Sequence, residues 1–210
     1  MTVPEALIAF CLAAGLLTIT PGLDTALVLR TAAAEGPRKA AAAGAGVCLG
    51  TIIWAAAVAF GLGALLETSK LAFDVLKWAG AAYLLWLGLN LIVRPRERFE
   101  VAAAGPVARG VSAWDWFGRG VLNNLLNPKA GVFYVSFLPQ FVPAGVPAAP
   151  FMLLLGCLHA AMAVPWFGTI IGATRPIAGA LQKSAVVRWL DRLTGGVFVG
   201  FGVRLALERR

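Results

Sequence analysis

The sequence predicts an all-α, polytopic membrane protein: six transmembrane helices built as two inverted three-helix repeats, each with a broken first helix. Three observations carry this expectation. The chain is 60% hydrophobic and only 13% charged, with mean hydropathy +0.81, whereas soluble domains carry roughly 25% charged residues. Its apolar runs recur at the length of about 20 residues that crosses a bilayer. Two of those runs hold a proline within a turn of a charge, Thr20-Pro21-Gly22-Leu23-Asp24 and Asn127-Pro128-Lys129. Lipid can neither bond freed backbone groups nor solvate a charge, so both segments must face protein or a wet cavity.

The spans are expected over about 5–33 (broken at Pro21), 40–66, 71–93, 114–138 (broken at Pro128), 149–173 and 187–207. The 210 residues suit one transmembrane domain over 1–210 and leave no room for a soluble one. The stretch 94–113 mixes charges (Arg96, Glu97, Arg98, Glu100) with Ala, Gly and Pro (Ala102 to Pro106). It reads as a cytoplasmic linker between repeat one, about 1–93, and repeat two, about 114–210.

The net charge of +8 does not point to nucleic acid, because no basic stripe interleaves with aromatics and the charges sit between apolar runs. Twelve basic residues follow spans one, three and five: Arg30, Arg38, Lys39, Arg94, Arg96, Arg98, Arg109, Arg119, Arg175, Lys183, Arg188 and Arg192. Five lie on the other side: Lys70, Lys77, Arg204, Arg209 and Arg210. The excess places the first set in the cytoplasm and both termini outside. The first segment has no Lys or Arg before it, unlike a secretory signal, and is read as a retained span. Cys11, Cys48 and Cys157 lie within apolar runs as packing residues, with no CxxC pair.

The halves echo each other. Pro21 and Pro128 break the first span of each, small residues fill the second (Gly44, Gly46 and Gly50 against Gly156, Gly168 and Gly172), and Trp78…Gly80…Tyr83…Gly88 resembles Trp189…Gly195-Gly196…Gly202. Three spans per repeat is odd, so the copies insert with opposite orientation, the architecture of secondary transporters with the substrate near the midplane.

Thr20-Pro21-Gly22 alone reads as a kink, since proline and glycine are common in membrane helices; equally, the break frees carbonyls and amides to bind a solute. Asp24 tips the balance to function, because a carboxylate at that depth costs a few kcal/mol, although a structural ion pair would also hold it. Lys129 could snorkel to an interface, yet it matches the acid in the other repeat, with Asn123 and Asn124 nearby needing partners. An acid and a base facing one cavity could hold the two ends of an amino acid, or form a gate. Pro139 and Gln140 close the fourth span. His159, the one histidine, is read first as a hydrogen-bonded packing residue. No second histidine or cysteine cluster suggests a metal, and no cofactor is expected. Gly46xxxGly50, Gly168xxxGly172 and Gly196xxxGly200 read as close helix packing, any one of which could serve a homodimer. Most of the seven tryptophans flank spans as interfacial anchors.

Thr20-Pro21-Gly22, Gly36-x-Arg38-Lys39, Gly44-x-Gly46…Gly50 and Lys77-x-x-Gly80-Ala81-x-Tyr83-Leu84…Gly88 resemble the first half of the LysE/RhtB amino-acid exporter family. Asn124-x-x-Asn127-Pro128-Lys129-Ala130 with Phe137-Leu138-Pro139-Gln140-Phe141 is similar to its second-half signature, and Asp191-Arg192-x-x-Gly195-Gly196…Gly202 fits its end. Leu23 stands where that family commonly has a second proline. The resemblance implies a six-span inner-membrane exporter of an amino acid or close derivative, an antiporter driven by proton-motive force, often a dimer. It does not choose the solute.

The expected site is therefore Thr20, Pro21, Gly22, Asp24, Asn124, Asn127, Pro128 and Lys129, with a zwitterionic amino acid, protons and membrane lipid as partners. The rivals are a heavy-metal or other small-solute exporter, which would want thiolates, carboxylates or imidazoles along its path, and an intramembrane hydrolase using Ser136 with His159.

Overall fold

The computed structural model describes residues 1–62, 70–96, 111–181 and 183–207; most of the 94–113 linker and the terminal Arg209 and Arg210 lie outside them. All regular secondary structure among the described residues is helical, without strands. In chain order the helices are α1 (Val3–Ile19), α2 (Leu23–Glu35), α3 (Pro37–Ala57, continued by a π-turn over Val58–Leu62), α4 (Lys70–Val93), α5 (Ala113–Leu125), α6 (Pro128–Phe137, continued by a 3-10 turn over Leu138–Phe141), α7 (Ala148–Gly172), α8 (Thr174–Leu181) and α9 (Ser184–Leu207).

Local chemistry sets the helix ends. Thr2 and Glu5 form a capping box that starts α1, and Ser112 with Asp115 does the same for α5. Gly36, at φ 87°, takes a turn that side chains disfavour, and Pro37 then opens α3 at a position where no N–H is needed. Thr20 and Gly22 are extended, which separates α1 from α2 with a bend of 48°. Asn127 is extended as well and divides α5 from α6.

Each expected span therefore has a helical counterpart, but their apolar lengths differ. Pro37–Gly61 and Ala148–Gly172 are long and apolar enough to cross a membrane, and the bent α1–α2 pair makes a third. The α5–α6 pair is broken and carries Asp115, Arg119 and Lys129, and α9 carries Arg188, Asp191 and Arg192. Charge and interruption are what keep these segments below that threshold. Large apolar side chains such as Ile8, Leu12 and Val164 are more than 60% exposed, the surface expected toward lipid.

Glycines let the helices touch backbone to backbone. A Cβ on Gly46 of α3 would collide with the Phe117 carbonyl of α5, and one on Gly120 of α5 with the Ala43 carbonyl of α3. Gly50 leaves room for the Asn124 side chain, Gly156 lets α7 meet α3 at Ala55, and Gly88 and Gly195 bring α4 and α9 together. The other two small-residue motifs depart from the packing expectation. Gly168, Gly172, Gly196 and Gly200 have no neighbour within 4 Å of a would-be Cβ, so they face outward from the chain.

The main core is aromatic. Phe10 of α1 meets Phe141 edge-on at 5.4 Å, Phe133 stacks on Phe137 at 4.9 Å, and Phe201 of α9 lies 4.8 Å from Phe137. Together these rings fill the end of the bundle where α1 begins. Trp54 is half-buried and donates to the Asn124 carbonyl at 3.3 Å, whereas Trp78, Trp86, Trp114 and Trp189 are all more than half exposed, as interfacial anchors should be.

Because the α3–α5 contact is between backbones, it cannot be relieved by a rotamer change. Gly46→Ala should destabilise the protein by about 1–3 kcal/mol, read as a lowered thermal midpoint in detergent. Gly118→Ala, where nothing lies within 4 Å, should leave the midpoint unchanged or raise it.

Candidate functional site

The two helix breaks meet, and each supplies what the other lacks. In an unbroken helix the Leu17 carbonyl would accept from the N–H of residue 21, but that residue is proline and has none. The ammonium of Lys129 takes its place, donating from Nζ to Leu17 O at 3.1 Å and to Thr20 O at 3.0 Å. A cation at the carbonyl end of α1 is also favoured by the helix dipole. Lys129 itself lies in the first turn of α6, where Pro128 is the first helical residue and Asn127 the cap: Asn127 Oδ1 accepts from the Lys129 backbone N–H at 3.1 Å.

Asp24 occupies the mirrored place, in the first turn of α2 at its amide end, where an anion is favoured. Its carboxylate accepts from three side-chain amides. Asn123 Nδ2 reaches Oδ1 at 2.7 Å, and Asn124 Nδ2 and Asn127 Nδ2 reach Oδ2 at 2.9 and 3.1 Å. Asn123 and Asn124 come from the end of α5, and Asn127 bridges the two breaks through both ends of its amide. Asp24 and Lys129 share a cavity but hold separate sets of partners.

That cavity is about 50 Å³, room for ordered water. Thr18, Thr51, Tyr134 and His159 complete its polar wall. His159 is doubly engaged, through Nδ1 to the Tyr134 hydroxyl at 2.7 Å and through Nε2 to Thr18 Oγ1 at 3.1 Å, as a hydrogen-bonded packing residue should be. Asn124 Oδ1 is buried there with no hydrogen-bond partner. A second cavity, about 380 Å³ and open to the surface, lies beyond the first. Thr20, Gly22, Asn127 and Lys129 line both and so form the partition between them.

All eight residues expected from the sequence thus converge on one place. Thr20 is pinned twice, its Oγ1 donating to Leu16 O at 2.6 Å and meeting the Thr194 hydroxyl of α9. A Cβ on Gly22 would lie 3.6 Å from Lys129 Nζ. Gln140 bonds the Ser136 carbonyl within its own turn. Ser136 and His159 share no hydrogen bond, and the hydrolase pairing has no geometric support. Among the described residues, no group of three or more His, Cys, Asp or Glu could hold a metal ion.

Sequence reasoning passed over one charged pair. Asp191, fully buried on α9, accepts from Arg96 at its backbone N–H (2.9 Å), Nε (3.0 Å) and Nη2 (2.5 Å). The available signal was an acid within the last expected span, which needs a cation nearby as much as Asp24 does.

The profile of the LysE type translocator family matches residues 16–209. A homoserine/homoserine lactone efflux protein of Salmonella typhi is 32% identical over 206 residues, covering 96% of each chain. A leucine efflux protein of Klebsiella pneumoniae is 30% identical, covering 95% of this chain and 93% of its own. A threonine efflux protein of Salmonella typhi is 27% identical over 91% and 92% of the two chains. No solved structure matches. The chain belongs to the LysE type translocator family and is a membrane transporter rather than an enzyme.

Proposed function

We propose that this protein is a secondary transporter of the bacterial inner membrane that exports an amino acid or a close derivative by alternating access in exchange for protons. One observation carries the reading: a carboxylate and an ammonium, each in the first turn of a half-helix at a chain break, line a single buried cavity. Efflux activity in the names of relatives aligned along nearly the whole chain supports the same reading.

The architecture we propose is six spans over one domain, 1–210, in two inverted repeats. Its support is that corresponding elements pack on each other. The second helices, α3 and α7, meet at Ala55 and Gly156, and the third helices, α4 and α9, meet at Gly88 and Gly195. Both first helices break beside the same cavity. The outward Gly196–Gly200 and Gly168–Gly172 faces suit a homodimer contact, as close-packing small residues do.

The roles follow from space and charge. Asp24 lines only the smaller cavity, which admits water but no amino acid, so it carries the coupling proton. Three amides hold its carboxylate without neutralising it, and the unpartnered Asn124 Oδ1 stands beside it to receive a water or a proton donor. Lys129 lines the larger cavity as well and takes the substrate carboxylate. The aromatic cluster at the α1 end closes the cavity on that side, and the opposite side is the one that opens here. Closing one end while the other opens is alternating access about the partition of Thr20, Gly22, Asn127 and Lys129.

Proteoliposome assays with a panel of amino acids test these roles separately. Lys129→Ala should lower counterflow at least tenfold. Asp24→Asn should keep counterflow within about threefold of wild type, because exchange of labelled for unlabelled solute moves no net proton. Wild-type rates in both variants, with and without a gradient, would remove the site assignment.

A pH gradient reads out the coupling. With acid on the side where α1 begins, protons run inward as solute runs outward, so wild-type accumulation on that side should rise about tenfold over the ungraded case. In Asp24→Asn that response should be flat. A response that persists in Asp24→Asn assigns proton movement to another group.

A further inference from the structure

The larger cavity has a chemistry of its own, and it bears on which solute the proposed transport would carry. Among the described residues that line it, the charged ones are Lys129 and Arg96. Arg96 is committed to the buried Asp191 through three donors, which leaves Lys129 as the cation facing the space. An ammonium has three donors, and Lys129 spends two on Leu17 O and Thr20 O; the third suits a carboxylate. The other polar side chains of the wall are already engaged. Thr20 Oγ1 bonds Leu16 O and meets Thr194, and the Asn127 amide bonds Asp24 and caps α6. The remaining wall is apolar: Leu23 and Ala26 from α2, Leu87 and Leu91 from α4, and Phe198 from α9. No acid is among the described residues that line it.

We infer that this cavity is the side-chain pocket of the transported solute and that it selects zwitterionic amino acids with a large apolar side chain. The inference rests on the transport reading above and deepens it. The volume, about 380 Å³, falls in the range of about 300–1,000 Å³ usual for small-molecule pockets, whereas the water-sized cavity beside Asp24 does not. With its charged end at the partition, the solute directs its side chain between Leu23, Leu87, Leu91 and Phe198. Once the cavity closes over the solute, as alternating access requires, a lysine side chain there would bury an ammonium with no counter-charge among the described residues, and a hydroxyl would find no uncommitted partner, each at a cost in binding. The hydroxyl is the weaker discriminator, because an apolar pocket rejects an added hydroxyl by about a hundredfold at most. Leu87 and Leu91 are then specificity-determining residues.

Counterflow in proteoliposomes tests the inference with leucine, methionine, alanine, phenylalanine, homoserine and lysine at equal concentration. Leucine and methionine should exchange at least tenfold faster than homoserine, with lysine slowest. Leu91→Phe, which fills the pocket, should lower the leucine-to-alanine ratio about tenfold. Leu87→Ala, which enlarges it, should raise the phenylalanine-to-leucine ratio by a similar factor. Lysine or homoserine exchanging as fast as leucine in the wild type overturns the inference without any variant. Ratios unmoved in both variants overturn it too, while the transport reading survives through Lys129→Ala. If no amino acid on the panel exchanges, the transport reading falls and this inference with it.

Discussion

A proline that cannot donate leaves the Leu17 carbonyl without its partner, and the rest of the site is organised around that deficit. At membrane depth an unsatisfied carbonyl costs several kcal/mol, because lipid offers no donor. The donor comes from more than a hundred residues away, as the ammonium of Lys129. A buried ammonium is itself expensive, but here it lies against the negative end of α1 and bonds two of its carbonyls. Two liabilities cancel, and the N-terminal half of the chain becomes tied to the C-terminal half. Asp24 repeats the logic with the sign reversed, an anion at the positive end of α2 answered by amides from the end of α5 and the break after it.

Packing makes those ties possible. The Asn123 and Asn124 amides reach Asp24 because α5 lies backbone to backbone on α3, an approach that Gly46 and Gly120 permit. Gly50 leaves the volume that Asn124 occupies. A side chain at any of these three positions would push α5 away from α3 and draw its amides off the carboxylate. These glycines of α3 and α5, none of them a site residue, thus set the electrostatics of the site. On the other flank Thr194 reaches Thr20 from α9, one turn after Asp191 anchors Arg96. A single helix therefore holds both the break and the residue that walls the larger cavity.

Much of this was legible in the chain. The helix breaks at Pro21 and Pro128 follow from local rules applied to apolar runs, and the depth of Asp24 and Lys129 in those runs pointed to a shared cavity. What local rules could not supply is who meets whom. That Lys129 serves α1 carbonyls rather than Asp24, and that Asp24 takes three asparagines rather than a cation, depends on the depth at which α5 and α6 sit against α1 and α2. The Arg96–Asp191 pair was hidden for the same reason: its members lie 95 residues apart, and Arg96 reads as an ordinary loop charge until α9 is placed beside it. The outward glycines of α7 and α9 show the converse limit. A GxxxG pattern states that a close approach is possible but not whether the neighbour lies within the chain.

The arrangement also constrains how the proposed cycle can run. Lys129 and Asp24 are ionised groups held by hydrogen bonds to neutral carbonyls and amides, worth roughly 1.5–3 kcal/mol apiece, and these bonds tie the partition between the cavities together. Opening the site toward the aromatic end requires α1 and α6 to separate, which breaks the contacts of Lys129 to Leu17 O and Thr20 O. A bare opening takes the ammonium from its carbonyl partners with nothing to replace them, so the empty carrier resists it. A carboxylate seated on Lys129 removes most of that penalty, because the ammonium keeps a partner while the carbonyls gain access to water through the opening. Neutralising Asp24 with a proton similarly relaxes the grip of the three amides on α2. Each ligand lowers the barrier for its own half of the partition, which is the condition for coupling solute and proton through one site.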